Sequence, residues 1–112
     1  MRVVYIAGPF RGPTAWDIEC NVRRAEEAAL EVARAGAMLL VPHANTRFFH
    51  GQLDDKFWID GTIALLRKSD AVLMIGEWTR SRGACGEQEE AKCIGLPVFY
   101  DIDEVKGYVA SQ

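Results

Sequence analysis

The sequence predicts a small doubly wound, flavodoxin-like α/β fold with four to five parallel strands flanked by helices. Three observations carry this expectation. Short β-rich apolar runs alternate with stretches of helical period along all 112 residues. Gly or Pro stops most of these runs. No repeat, low-complexity tract or linker interrupts the alternation, so residues 1–112 read as one domain. Strand–helix alternation of this kind builds parallel βαβ units with right-handed crossovers.

Val3, Val4, Tyr5 and Ile6 read as a buried strand that ends at Gly8-Pro9. Thr14, with Asp17 three positions on, has the form of a helix N-cap. The helix it opens places Ile18, Val22, Ala25, Ala29, Val32 and Ala33 on one face, and Gly36 closes it. Residues 37–41 form the second strand, stopped by Pro42, and residues 43–52 read as a loop rich in aromatic and polar side chains. A helix is expected over about residues 54–68, with Phe57, Ile63, Ala64 and Leu66 as candidate buried positions. Residues 70–75 make the third strand. A loop over 76–82 leads to a helix over 84–94, closed by Gly95 and Pro97. Residues 96–100 make the fourth strand, and the tail has the pattern of a short helix.

Composition narrows the function classes. Thirteen Lys and Arg against sixteen Asp and Glu give a net charge of −3, against a nucleic-acid coat that needs surplus cations. The longest apolar runs, 37–42 and 71–75, are too short to cross a bilayer, and residues 1–6 lack the apolar core of an export signal. Cys20, Cys85 and Cys93 are odd in number and form no C-x-x-C pair, which suits reduced thiols in a cytoplasmic protein. His43, His50, Asp54 and Asp55 match no compact metal-ligand spacing, so no metal or cofactor is expected.

In a doubly wound sheet, ligands bind in the crevice at the carboxyl ends of the strands. The first of these loops runs Gly8, Pro9, Phe10, Arg11, Gly12, and its glycines permit close approach of backbone to a ligand. It matches neither the G-x-G-x-x-G dinucleotide pattern nor a phosphate loop ending in Gly-Lys-Ser/Thr. His43, Asn45, Arg47 and His50 fall in the second loop; Glu77, Trp78, Thr79, Arg80, Ser81, Arg82 and Gly83 in the third. Arginines in three loops of one edge suggest an anionic small ligand, with phosphate the natural candidate.

Two acids stand out. Glu87 shares a helix face with Ala84, Ala91 and Ile94, a face small and apolar enough to meet the sheet. It serves either as a site carboxylate or as a charge complementing the helix dipole. Asp60 lies within the aromatic, apolar segment Phe57-Trp58-Ile59-Asp60-Gly61, either as a site acid or as a cap for the helix that follows. Two carboxylates beside a sugar suit glycosidic bond cleavage, if Asp60 and Glu87 meet. Cys85 at a helix start is a less developed nucleophile candidate, without a histidine nearby in sequence.

Val4-Tyr5-Ile6-Ala7-Gly8-Pro9-Phe10 resembles the opening motif of the nucleoside 2-deoxyribosyltransferases. Ser81-Arg82-Gly83-Ala84-Cys85-Gly86-Glu87, with Ala91 and Gly95-Leu96-Pro97-Val98, is similar to their nucleophile segment. Asp60, followed by a helix and Ser69-Asp70-Ala71-Val72, resembles their middle acidic motif. The resemblance implies attack by Glu87 on an anomeric carbon, assistance to the leaving base or sugar from Asp60, and orientation of the nucleophile by Tyr5. Ser81, where the transferases typically carry an acid, resembles the serine of the related deoxynucleoside 5′-monophosphate N-glycosidases. That implies a phosphate held by Ser81 with Arg11, Arg80 and Arg82. Gly8, Pro9, Phe10, His43, Asn45, Trp78 and Gly83 complete the expected substrate-binding set. The resemblance further implies a nucleoside or nucleotide ligand and a homodimer or higher homo-oligomer. Hydrolase and transferase outcomes stay open, as does an inactive nucleotide-binding module of the same fold. The segment Cys85-Gly86-Glu87-Gln88-Glu89 lacks the family's aromatic before and glycine after the nucleophile.

Overall fold

A computed structural model describes residues 1–111. In chain order the elements are β1 (Val3–Ala7), α1 (Ala15–Arg34), β2 (Met38–Leu40), α2 (Pro42–Asn45), α3 (Asp55–Arg67), β3 (Ala71–Met74), α4 (Arg82–Cys93), β4 (Val98–Phe99) and α5 (Ile102–Ala110), with a 3₁₀ turn at Trp78–Arg80. The four strands form one parallel sheet in the order β2-β1-β3-β4. The chain enters at β1, steps to one edge, then crosses back to β3. Strand order therefore reverses between β1 and β3, and the crevice for a ligand lies above that point.

Alternation of side chains along β1 divides the core in two. Val4 and Ile6 join Ala25, Ala29 and Val32 of α1 and Val105 of α5 on one face. Tyr5 and Ala7 join Leu66 of α3 and Ala84 and Ala91 of α4 on the other. Both faces of the sheet are covered, as a parallel sheet of apolar runs requires. β2, β3 and β4 are two to three residues shorter than their predicted runs, whereas β1 extends one residue further, to Ala7.

The first helix forms as its cap predicts. The Thr14 hydroxyl accepts from Asp17 N–H at 3.2 Å, and Asp17 Oδ2 accepts from Thr14 N–H at 3.1 Å, a reciprocal capping box. At the other end Gly36 takes φ +102°, a left-handed conformation that a side chain would strain. Gly8 is needed for a different reason. A Cβ there would lie 2.6 Å from Ile75 Cγ1 and 3.0 Å from Ile75 O, so only glycine lets β1 end against the exit of β3.

Two segments differ from expectation. Residues 42–45 form one helical turn, α2, inside the predicted loop. Pro42 occupies its first position, where a missing N–H costs nothing. In α3 only Leu66 of the four expected residues is fully buried. Ile63 is intermediate, whereas Phe57 and Ala64 are exposed. Ile94, the residue that caps the end of α4, is also exposed, whereas Ala84 and Ala91 are buried.

Candidate active site

A polar pair joins β1 to α4 on the covered face of the sheet, beside the reversal of strand order. Tyr5 points from β1 to the α3–α4 face and is fully buried. Its hydroxyl donates to Glu87 Oε2 on α4. Ala84 and Ala91, three before and four after Glu87, are the buried contacts of α4. That spacing turns Glu87 toward the sheet. Their small side chains let the helix approach closely and leave room for the carboxyl group.

Burial shapes the electrostatics of this pair. It raises the Glu87 pKa from 4.5 to about 7, while the hydrogen bond from Tyr5 pulls the other way. Burial also pushes the Tyr5 phenol well above its ordinary range, reinforced by the Glu87 charge. Tyr5 therefore stays protonated and acts as a donor. Glu87 changes charge near neutrality.

Among the expected site residues, Asp60 is not brought to this pair. Its carboxylate is 62% exposed and bonded to Lys56 Nζ at 2.7 Å, one turn back on α3. Helix geometry explains this. Leu66 fixes the buried face of α3, and Thr62, four residues before it, shares that face. Asp60 lies two residues from Thr62, or about 200° around the helix, on the solvent side. The hydroxyl of Thr62 donates to Ile59 O at 2.9 Å, and Thr62 exerts a small downward pull on the Tyr5 pKa against the larger effect of burial.

The loops supply the surroundings. Ser81 is the N-cap of α4, its Oγ accepting from Ala84 N–H at 3.1 Å. Arg82 and Gly83 follow in the first turn. Arg82 has no charged partner among the described residues, whereas Arg11 pairs with Asp55 at 3.1 Å, Arg47 with Glu19 at 2.9 Å and Arg80 with Glu77 at 3.5 Å. Trp78 is half-buried and packs on Tyr100 with ring centroids 5.8 Å apart. Asn45 and His50 are exposed.

A family model described as a domain of unknown function, DUF4406, matches residues 2–100. The chain belongs to this family. No curated protein matches it. Among solved structures, it is similar to a 2-deoxyribosyltransferase from the psychrotolerant bacterium Bacillus psychrosaccharolyticus. The TM-score is 0.65 at 17% identity, covering 93% of this chain and 90% of that one. A likeness at that identity is one of fold, and it places the DUF4406 chain in the α/β architecture of that enzyme.

Other expected residues take structural places in this DUF4406 domain. His43 is buried, and its Nε2 lies 3.0 Å from both Gly8 O and Pro9 O, so this nitrogen faces the first loop. Phe10 meets the His43 ring edge-on, with centroids 5.8 Å apart. The Cys85 thiol lies 3.6 Å from the carbonyl oxygens of Trp78 and Thr79, closing the 3₁₀ turn beneath α4. Trp58 is half-buried between Phe49 and Phe57, not exposed. Thr62 was missed because a hydroxyl carries no distinctive motif, although its i, i+4 relation to Leu66 marks its face. Among the described residues no helix is long and apolar enough to cross a membrane, and no group of three or more His, Cys, Asp or Glu could hold a metal ion.

Proposed function

We propose that this protein cleaves or transfers at the N-glycosidic bond of a (deoxy)nucleoside or its 5′-monophosphate, with Glu87 as nucleophile. The single observation that carries the reading is the Tyr5–Glu87 hydrogen bond at the reversal of strand order, where burial brings Glu87 into the neutral titration range. The likeness of fold to a 2-deoxyribosyltransferase supports the same class of chemistry.

In this mechanism one Glu87 oxygen attacks the anomeric carbon, the C1′–N bond breaks, and its electron pair leaves with the base. Tyr5 holds the second carboxyl oxygen and keeps the attacking one oriented. Water then attacks the glycosyl ester, its proton passing to the departed base, or a second base attacks and gives up its N–H proton to the first, and Glu87 returns as a carboxylate. Ser81, Arg82 and Gly83 at the start of α4 receive a 5′-phosphate. The Ser81 oxygen is already accepting from Ala84, but its hydroxyl proton remains to donate. Gly8, Pro9, Phe10 and Arg11 border the sugar, and Trp78 offers an aromatic surface to the base. Asn45 belongs to the outer rim of the same crevice. The chemistry calls on no cofactor or metal.

Asp60 favours a second reading. Its carboxylate faces solvent beside Lys56. A protein of this fold with one carboxylate in the crevice suits nucleotide binding without turnover. A panel of deoxynucleosides and their 5′-monophosphates separates the two readings. Free base released by the native protein and lost in Glu87→Gln supports the enzyme. Saturable binding without base release supports the binding module. Release unchanged in Glu87→Gln removes Glu87 as the nucleophile.

A further inference from the structure

Four successive backbone carbonyls in the loop after β1 are each held by a side chain. His43 Nε2 lies 3.0 Å from Gly8 O and from Pro9 O. Asn21 Nδ2 donates to Phe10 O at 3.0 Å and to Arg11 O at 3.3 Å. The two clamps come from different elements, α2 and α1, and neither residue touches the Tyr5–Glu87 pair among the contacts of the described residues.

The protonation state of His43 follows from its surroundings. The ring is buried, and Nδ1 has no hydrogen-bond partner among the described residues. A proton on Nδ1 would be buried without an acceptor, whereas a proton on Nε2 meets two carbonyl oxygens. The imidazole is therefore the neutral Nε2–H tautomer. Burial lowers its pKa, against the pull of the two carbonyls, which keeps it in that form. Arg24 Nη1, 3.4 Å from Asn21 Oδ1, fixes the other clamp with its amide nitrogen toward the loop.

The peptide bonds here are trans and planar, so each carbonyl points opposite to the N–H of the next residue. With the carbonyls of Pro9, Phe10 and Arg11 drawn to their clamps, the N–H groups of Phe10, Arg11 and Gly12 face away from them. None of the three makes a hydrogen bond among the described residues. Successive unpaired N–H groups at the ligand edge of a sheet are donors for an oxyanion or for sugar oxygens.

We propose that His43 and Asn21 are positioning residues, which fix the Gly8–Pro9–Phe10–Arg11 backbone so that the N–H groups of residues 10–12 are presented to the ligand. The ligand-facing part of this inference rests on the nucleosidic reading above; the clamp itself does not. It also assigns His43 a place behind the loop rather than in contact with substrate.

The test uses the full chain. In long-range ¹H–¹⁵N spectra at neutral pH, His43 is expected as the Nε2–H tautomer, and an Nδ1–H tautomer overturns the clamp. His43→Phe and Asn21→Leu keep volume but lose the donor, whereas His43→Gln restores an N–H. Backbone order parameters at residues 10–12 are expected to fall from about 0.85 toward about 0.6 in the Phe and Leu variants, with β1 and β3 unchanged. His43→Gln should recover most of that rigidity. If His43→Phe leaves the loop as rigid as before, the residue merely fills space and the proposal fails. For whichever deoxynucleoside or 5′-monophosphate the native protein turns over, His43→Phe should raise KM about tenfold while kcat changes less than about threefold. A loosened loop with unchanged KM, or with unchanged monophosphate binding by calorimetry if nothing is turned over, overturns the link to the ligand. Absence of base release by the native protein counts against the enzymatic reading alone, because the tautomer, rigidity and binding results still decide the clamp.

Discussion

The two faces of β1 use the same strand for opposite ends. Val4 and Ile6 enter a wholly apolar layer with α1 and α5, closed by Ala25, Ala29, Val32 and Val105. Tyr5 and Ala7 enter a layer with α3 and α4 in which small residues, Ala84 and Ala91, flank a carboxyl group. The first face gains stability from burial. The second gives up part of that gain to hold a half-buried Glu87 beside the fully buried Tyr5 hydroxyl, where each group's ionisation is altered. A functional site in a small sheet protein is made here by replacing volume with polarity on one side only. That contrast predicts that mutations on the two faces will separate stability from activity.

Glu87→Gln should produce the largest effect. On the proposed mechanism, base release falls by about 10³-fold or more, measured by chromatography of free base. Stability should move the other way. The folded-state pKa of Glu87, about 7, is above the unfolded value of 4.5, so the folded chain binds the proton more tightly. Its contribution is fully present below about pH 4.5 and is lost as pH rises through about 7. At pH 8 the variant should therefore be more stable than the native protein, by up to about 3 kcal/mol, and the difference should shrink toward pH 5. Denaturant titrations at both pH values check this. A variant less stable at pH 8 would mean that Glu87 is not buried as a charge.

Tyr5→Phe should act more mildly on the same face. Removing the donor lowers kcat about 10- to 100-fold. The Tyr5 hydrogen bond holds the Glu87 pKa down, so its loss should also move the acidic limb of the pH–rate profile upward. A lower kcat with no shift of that limb would sever the proposed tie between the two groups. Across the sheet, Ile6→Ala removes a fully buried side chain and should cost about 2–5 kcal/mol of stability. Measured below its melting transition, its kcat should stay within about twofold of native. A large kcat loss there would show that the two faces are not independent.

Much of this division was legible in local sequence. The Thr14–Asp17 cap, the β1 run and the Ala84–Glu87–Ala91 face rest on relations of three or four residues, which a helix or strand enforces wherever it sits. What could not be read depends on tertiary choice. α3 carries apolar residues on both sides, with Phe57 and Ile59 exposed and Leu66 buried, so its period does not select a face. Hence Asp60 was expected on the side of α3 that Thr62 takes. α2 is one turn long, and its buried His43 is recognised only through carbonyls 34 and 35 positions earlier in the chain. The loop arginines suggest an anion site, yet Arg11 and Arg47 are paired with acids from elements whose approach the sequence does not reveal, and Arg80 pairs with Glu77 three positions before it.

Asp60→Asn carries the smallest expected effect and most sharply tests that reassignment. Its carboxylate is exposed, and an exposed i, i+4 pair with Lys56 is screened by water and adds little to stability. Stability should therefore change by less than about 0.5 kcal/mol, and base release should stay within about threefold of native. Thr62→Val, on the buried face of the same helix, should weaken base release more than Asp60→Asn does, because it removes a hydroxyl that lowers the Tyr5 pKa. The order of these two effects decides which side of α3 serves the site. If Asp60→Asn abolishes release while Thr62→Val does not, α3 must present its outer face to the substrate. That outcome requires a working arrangement in which Asp60 leaves Lys56 for the crevice.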